Sequence, residues 1–545
     1  MPHGRAALGW RRPNHEGPVT LASIAAASGE DVTPIDSAVT QRSVIRALAQ
    51  ARAKFGGSTP MLVDGDGRTL TYDEILRGAF ALGHALKKGT KPGEAIGIML
   101  PTGVAAILAF FALSAYGRVP VMLNFTAGPA GVKSALRTAE IKRVITAHKF
   151  VALGKLEHLI AEMHGAIALL YLEDVRENLS LADKAFAAVG SFLPALIAAP
   201  VSPDLPAVIL FTSGTEGEPK GVALSHANIL ANVEQVRTHI PLSREDVLFN
   251  PLPTFHSFGL TVGALMPLLL GVKTICHPSP RQPHEILRRV KNANVTILLS
   301  TDTFISQYAR AGDEDDLKSL RVVGCGAERV REETRSLLRR KYAIDLIEGY
   351  GVTEASPVIA FNQPHDNRHG TVGRLLNGME SRLDPVEGIE RGGRLFVRGP
   401  NVMLGYIKSD APGVIVPPKD GWHDTGDVAE IDDEGYLAIK GRLKRFAKIG
   451  GEMVSLTVVE NCASAVWPEN CHAAVAIPDG RKGEQIILFT DTVDANRDDL
   501  ASWTRSHGVP ELSVPKRIVM LPILPVMGSG KTDYVQLQKM AAAET

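Results

Sequence analysis

Phe211–His226 reads FTSGTEGEPKGVALSH, and the reading of this stretch decides the fold. The apolar run AVILF leads into it, and a segment with helical periodicity, HANILANVEQVRTHI, follows from His226. A plain turn needs one or two small residues, whereas this gap holds glycines, hydroxyls, Pro219 and Lys220 together. Such a loop lets backbone N–H groups and hydroxyls converge on an anion, and a helix starting beside it adds a favourable dipole. The expectation is a phosphate cradle between a strand and a helix. The nucleotide P-loop spacing is not met, because Gly217 and Lys220 are separated only by Glu218 and Pro219. GSGKT at Gly528–Thr532 comes nearer, but Pro525 stands where the first glycine belongs and no strand precedes it.

Outward from this loop, short apolar runs alternate with helical segments. EAIGIML, the helical run after it and VPVMLN form one strand–helix–strand unit; AVILFT, VTILLS and RVVGCG continue the pattern. This texture predicts an α/β fold with a large N-terminal domain of mainly parallel sheets and helices. From about Gly378, GGRLFVRGP, GYIKS, WHDTGD and GYLAIKGR read as short strands and turns, an antiparallel subdomain. KIGGEMVSLTVVE, CHAAVAIPD and EQIILFTDT then suggest a small α+β C-terminal domain. The predicted organisation is a flexible tail over 1–36, a large domain over 37–443 and a mobile C-terminal domain over 444–545.

The chain of 545 residues is too long for a single ordinary core. Hydrophobic residues make up 45% and charged residues 22%, the balance of a globular protein, and Lys+Arg equal Asp+Glu at 59. A net charge of zero argues against a broad nucleic-acid surface. Cys276, Cys325, Cys462 and Cys471 show no CxxC spacing, which suits a reducing cytoplasm. GVAAILAFFALSAYG, from Gly103, is too short to span a bilayer and reads as a buried helix. FAAVGSFLPALIAAP, from Phe186, is broken by Gly190 and Pro194; it reads as a loop plus a buried helix, with peripheral contact to the inner face of a membrane as the rival.

The loop resembles the phosphate loop of the adenylate-forming superfamily, which contains acyl-CoA synthetases, luciferases and peptide-synthetase adenylation domains. GYGVTEASP at Gly349, WHDTGD at Trp422, GRLKRFAKIGGE at Gly441 and the terminal GSGKT resemble further motifs of that superfamily, in its order. The resemblance covers about Leu70 to the C-terminus. Within the superfamily, Glu216, RFAKIGGEMVSL, HGVPELSVPK and LPVMGSGKTDYV most resemble the acyl-acyl-carrier-protein synthetase module of the bifunctional acylglycerophosphoethanolamine acyltransferase. The acyltransferase half uses His-x-x-x-x-Asp, and none of the 16 histidines here is followed by Asp at that spacing.

What the resemblance implies is specific. Thr212, Ser213, Gly214, Thr215, Gly217 and Lys220 would hold the β- and γ-phosphates of ATP. Glu216 departs from the usual Ser or Thr, and either faces outward or acts near the phosphates. Glu354 would bind Mg2+, a hard cation that takes oxygen ligands. Tyr350, followed by Gly351 and Thr353, would stack on adenine, with Gly326 and Ala327 as the opposite wall. Asp427 would accept hydrogen bonds from the ribose diol and Arg442 would reach ribose or phosphate, unless it serves a structural ion pair; Asp424 reads as a turn residue. Phe255 and His256 would line the mouth of the carboxylate site, where the bland alternative is a core histidine. Lys444 would be the hinge. Lys531 would bridge the substrate carboxylate and the α-phosphate and neutralise charge in the transition state.

The activity so implied is ATP-dependent conversion of a fatty acid to an acyl-adenylate, then transfer to the phosphopantetheine thiol of acyl carrier protein. One alternative changes the acceptor to coenzyme A. Another is a catalytically silent acyl- or nucleotide-binding module, which the presence of Lys531, Glu354, Asp427 and Arg442 disfavours.

Overall fold

The computed structural model describes residues 37–163, 165, 167–212, 219–479, 483–526 and 532–543. The predicted tail over 1–36 lies outside these. The chain divides into two compact units. The first comprises residues 37–367 with Leu376–Met379 and Arg398–His423; the second comprises Arg368–Leu375, Glu380–Val397 and the chain from Asp424 onward.

Two sheets organise the first unit. In one, the strands run in the order Val358–Phe361, Ile347–Gly351, Val322–Cys325, Ile297–Ser300, Val247–Asn250, Lys273–Cys276, Pro60–Val63 and Thr69–Thr71. Its central neighbours are parallel, as the alternation of apolar runs with helices predicted. The other sheet runs Ala411–Val416, Gly405–Lys408, Lys220–Ser225, Pro206–Thr212, Val119–Met122, Ala95–Ile98, Arg143–Thr146 and Ala168–Tyr171. GVAAILAFFALSAYG forms the helix Val104–Ala115, which is buried almost all round. That explains its continuous apolar character without a membrane. Among the described residues no helix is long and apolar enough to cross one.

Three expectations are corrected. The glycine-rich loop does not lead from a strand into a helix. Lys220–Ser225 is itself a strand, paired antiparallel with Pro206–Thr212 so that Thr212 faces Lys220. The loop therefore closes a hairpin. The helix begins only at His226, capped by Ser225 with Asn228 in a reciprocal capping box. Second, GYIKS does not belong to an antiparallel subdomain: Gly405–Lys408 pairs antiparallel with Lys220–Ser225, adding to the sheet of the first unit. Third, FAAVGSFLPALIAAP is not buried. It forms the helices Leu181–Phe192 and Pro194–Ile197, whose large apolar side chains, except Ile197 on the core, face solvent.

The second unit contains the antiparallel pair His423–Ile431 and Leu437–Arg442, with Gly393–Arg398 and Glu380–Asp384 beside it in the sheet order. A further sheet follows, of Glu452–Ser455, Phe446–Ile449, Gly483–Thr490 and His472–Asp479, with Arg517–Met520 parallel to Gly483–Thr490. Leu456–Val466, Arg497–Ser506 and Tyr534–Ala543 supply its helices. This is the α+β character expected of the C-terminal segment.

Candidate active site

Val247–Asn250, Ile297–Ser300, Val322–Cys325 and Ile347–Gly351 run parallel, so the segments that follow them leave along one sheet edge. Ligands of open α/β sheets bind at this carboxyl edge. Eight of the sequence-predicted residues follow or end these strands: Phe255, His256, Gly326, Ala327, Tyr350, Gly351, Thr353 and Glu354. Phe255 and His256 follow the first strand, and Gly326 and Ala327 follow the third. Tyr350 and Gly351 end the fourth, with Thr353 and Glu354 in the turn beyond it.

Backbone constraints explain the small residues. A methyl group on Gly351 would stand 2.2 Å from the carbonyl oxygen of Pro357, so no side chain fits. One on Gly326 would stand 3.5 Å from both the Gly349 carbonyl oxygen and the Phe258 ring, ordinary contact. The space beside Gly326 is thus bounded by the strand that carries Tyr350 and by Phe258, which the motif reading missed. Ala327 holds a left-handed backbone at φ 68°, which costs a non-glycine residue on the order of 1 kcal/mol. Tyr350 is half-buried. The Ser257 hydroxyl lies 3.3 Å from that of Thr353, tying the His256 segment to the Glu354 turn.

Glu354 is buried, and its carboxylate Oε1 accepts a 2.6 Å hydrogen bond from the Tyr406 hydroxyl. Its carbonyl accepts from the Met403 N–H at 2.7 Å. Tyr406 sits on Gly405–Lys408, opposite Val222 in the hairpin strand. The Lys220 ammonium lies 5.7 Å from the centre of its ring, within reach of a cation–π attraction. Tyr406 thereby connects the lysine of the phosphate-loop motif to the carboxylate of the GYGVTE motif. The motifs singled out neither Tyr406 nor its role; only its place two residues after Leu404, in a short strand-like run, was readable.

His256 is half-buried and Phe255 buried. Their rings lie 4.7 Å apart, Phe255 meets Phe125 edge-on at 5.1 Å, and Phe125 meets Phe150 at 4.9 Å. An apolar aromatic wall therefore stands behind the histidine. Phe125 and Phe150 come from distant segments, and nothing local in the sequence marks them.

In the second unit, Asp427 is buried and faces Arg442 across the strand pair, with Arg442 Nε 3.3 Å from Asp427 Oδ1. The Asp427 N–H donates to the Thr425 hydroxyl at 3.1 Å. Asp424 is more than a turn residue: Arg394 grips its carboxylate in a two-pronged ion pair, and the Gly426 N–H donates to it. Lys444 is exposed in a short turn, Leu443–Arg445. Arg445 is instead tied inward. It donates to the Ala474 carbonyl at 2.7 Å and to Glu460 at 2.6 Å, and it lies 3.6 Å over the Tyr534 ring.

Ser213, Gly214, Thr215, Glu216 and Gly217 lie outside the described residues, as does Lys531. Thr212 and Lys220, which flank the loop, are half-buried and paired with each other in the hairpin.

The family model for the AMP-binding enzymes matches residues 48–407, which include the hairpin, the Tyr350–Glu354 segment and Tyr406. The chain belongs to the AMP-binding enzyme family. A feruloyl-CoA synthase from an Amycolatopsis species is 29% identical over 487 residues, covering 85% of this chain and 92% of that protein. A long-chain-fatty-acid–CoA ligase from Salmonella typhimurium is 27% identical over 526 residues, 90% of this chain and 93% of its own. Among solved structures, ATP-bound MatB from Rhodopseudomonas palustris superposes with a TM-score of 0.78 at 23% identity, over 92% of this chain and 99% of that one. The anthranilate CoA ligase AuaEII, in complex with anthranoyl-AMP, gives 0.78 at 21% identity over 92% and 98%. At these identities the structural likeness establishes the fold of this AMP-binding enzyme.

The donor set fits Mg2+ held in the manner usual for that ion. Among the described residues no three His, Cys, Asp or Glu side chains gather into an all-protein cage. Mg2+ ordinarily takes one or two carboxylates and completes its shell with water and substrate phosphates. Glu354, oriented by Tyr406, offers one such carboxylate.

Proposed function

We propose that this AMP-binding enzyme is an ATP-dependent acid–thiol ligase that activates a fatty acid and transfers the acyl group to coenzyme A. The observation that carries the substrate class is the aromatic wall of Phe255, Phe125 and Phe150 behind His256: it suits a carboxylate with a hydrocarbon body. The acceptor reading is supported by relatives named as coenzyme A ligases over most of the chain.

In the first half-reaction a carboxylate oxygen attacks the α-phosphorus of ATP, forming the acyl–phosphate bond as the bond to pyrophosphate breaks. Lys220 and Thr212, with Ser213, Gly214, Thr215 and Gly217, hold the β- and γ-phosphates. Tyr350 stacks on adenine beside Gly326 and Ala327; Gly351 and Thr353 shape that turn; Asp427 and Arg442 take the ribose. Mg2+, when bound at Glu354, would offset phosphate charge. His256 and Phe255 orient the carboxylate, and Lys531 neutralises the charge that grows between carboxylate and α-phosphate. The C-terminal segment then turns about Lys444, and a pantetheine thiol, losing its proton, attacks the acyl carbon. AMP leaves, and a thioester remains.

The rival acceptor is acyl carrier protein, supported by the resemblance of RFAKIGGEMVSL and its neighbours. An acidic carrier protein would be drawn to a basic patch, and Arg442, Lys444, Arg445 and Lys448 fall close together in the sequence, but Glu460 and Tyr534 occupy the Arg445 side chain. The test supplies coenzyme A and phosphopantetheinylated carrier protein at equal concentration, with ATP and a panel of fatty and aryl carboxylates, and follows AMP and thioester. Thioester on coenzyme A with fatty acids is the expected result. Product confined to the carrier would overturn the acceptor, and AMP release only with aryl acids would overturn the substrate class.

A further inference from the structure

The helix Leu181–Phe192 has its amphipathicity inverted. Its inner face is built from small or polar residues, Asp183, Ala187, Gly190 and Ser191. Gly190 lies so close to Phe80 that a methyl group there would stand 2.5 Å from the ring. The bulky apolar residues point the other way: Leu181 is 85% exposed, and Phe186, Val189 and Phe192 are exposed on the same helix. Leu193 and Leu196, the latter 74% exposed, extend the face onto Pro194–Ile197. A solvated helix places its large apolar side chains inward. An exposed apolar surface of this kind marks an interaction site.

The charges around the face are mainly basic, with Arg52 already paired to Asp73 at 2.7 Å. Over Leu181–Pro200 the sequence contains Asp183 and Lys184 as its charged residues. Lys184 is exposed, whereas Asp183 is 0% exposed, bonded by His84 at 2.6 Å and Lys88 at 3.0 Å. The carboxylate is therefore neutralised beneath the helix. Cations border the aromatic residues above: Lys87 stands 5.0 Å from the Phe186 ring centre and Arg52 6.0 Å from that of Phe192. His84 stacks under Phe186 at 4.1 Å, bracing the ring outward.

We propose that Leu181–Ile197 docks this enzyme on the surface of an anionic lipid bilayer. Phe186, Val189, Phe192 and Leu196 enter the boundary between headgroups and acyl chains, and Lys87 and Lys184 meet lipid phosphates. An interfacial helix that joins apolar side chains to flanking cations binds in this way, the cations adding attraction to an anionic leaflet. A second copy of the chain is a poorer occupant. Self-pairing of this face would set Lys184 and Lys87 against their own counterparts. The inference draws on the surface alone and does not depend on which carboxylate is activated.

The test uses the full chain with vesicles of phosphatidylcholine alone and with one-third phosphatidylglycerol, followed by flotation. Wild-type protein is expected to float with the anionic vesicles at least tenfold more than with neutral ones, less so at 0.5 M salt. Phe186→Glu and Phe192→Glu together should abolish flotation, and Lys184→Glu should reduce it severalfold, with circular dichroism unchanged and AMP release from a short, soluble carboxylate retained. Absence of flotation in wild type would overturn the proposal. So would flotation that the variants leave intact, or a wild-type dimer in sedimentation velocity that the paired glutamates dissociate while vesicle binding persists. Wild-type protein that floats with the anionic vesicles but releases no AMP with any carboxylate would count against the ligase reading and leave the surface assignment standing.

Discussion

The hydroxyl of Tyr406 donates a 2.6 Å hydrogen bond to Glu354, so the carboxylate of the GYGVTE turn is held by a strand more than fifty positions further along the chain. This contact joins a turn whose role the GYGVTE resemblance implied to a strand that no motif marked. Partners that orient a ligand carboxylate commonly change metal affinity by about 10–100-fold. Tyr406→Phe keeps the ring beside Lys220 and removes only the donor. Expected is a roughly tenfold higher Mg2+ requirement in the adenylation half-reaction, with ATP-independent stability little changed. Mg2+ titration of pyrophosphate release checks this, and an unaltered midpoint would remove Tyr406 from any positioning role.

Gly351→Ala tests the close approach at the end of Ile347–Gly351. The added methyl meets the Pro357 carbonyl oxygen at 2.2 Å, a contact that only backbone movement relieves. Overpacking of this kind costs about 1–3 kcal/mol. The melting temperature should fall by several degrees, and nucleotide affinity should fall with it, because Tyr350 is displaced. Calorimetry and nucleotide titration report the two effects separately.

Acid sensitivity should be traceable to His226. Burial pushes its pKa down to about 4, and its Nδ1 accepts the Val44 N–H at 3.2 Å. Its place at the first position of His226–His239 also disfavours a positive charge. The unfolded chain binds a proton near pH 6.5 while the folded chain does not until about pH 4. Its contribution is thus full above pH 6.5 and is lost progressively as pH falls toward 4, at up to about 1.4 kcal/mol per pH unit. His277, also lowered to about 4 by burial and by Arg289, acts with the same sign. His226→Asn retains an acceptor for Val44. Denaturant melts at pH 7 and pH 5 should show a smaller loss of stability for this variant than for wild type.

Lys531→Ala separates the two half-reactions. Acyl-adenylate formation should drop by at least two orders of magnitude if the lysine stabilises the charge developing at the α-phosphate. Thioester formation from pre-formed acyl-adenylate should fall by less than about threefold under the same assignment. Equal losses in both assays would contradict the proposed change of conformation about Lys444.

Parallel architecture was legible because apolar runs such as VTILLS and RVVGCG recur between helical segments, and each became a strand. Val104–Ala115 was legible as buried because it is apolar on every side. KGVALS was absorbed into the loop reading, since so short a run between a glycine-rich stretch and a helical one does not announce a strand, and only its pairing with Pro206–Thr212 reveals it. The exposure of Phe192 and Leu196 was hidden for a different reason. Hydrophobicity predicts burial on average, but the partner face is chosen by tertiary packing, and here Gly190 fits closely against Phe80. Long-range meetings, such as Phe125 with Phe255 or Tyr406 with Glu354, have no local signature at all.

Because Gly405–Lys408 completes the edge beside Lys220–Ser225, that edge stays open while the ribosome makes the intervening chain. At typical elongation speeds the delay is on the order of ten to forty seconds. During that time the nascent hairpin presents unpaired N–H and C=O groups along a largely apolar strand, a template for pairing with other chains. Holdase chaperones would find an opportunity here, and slow codons placed after Ser225 would lengthen the exposure rather than relieve it.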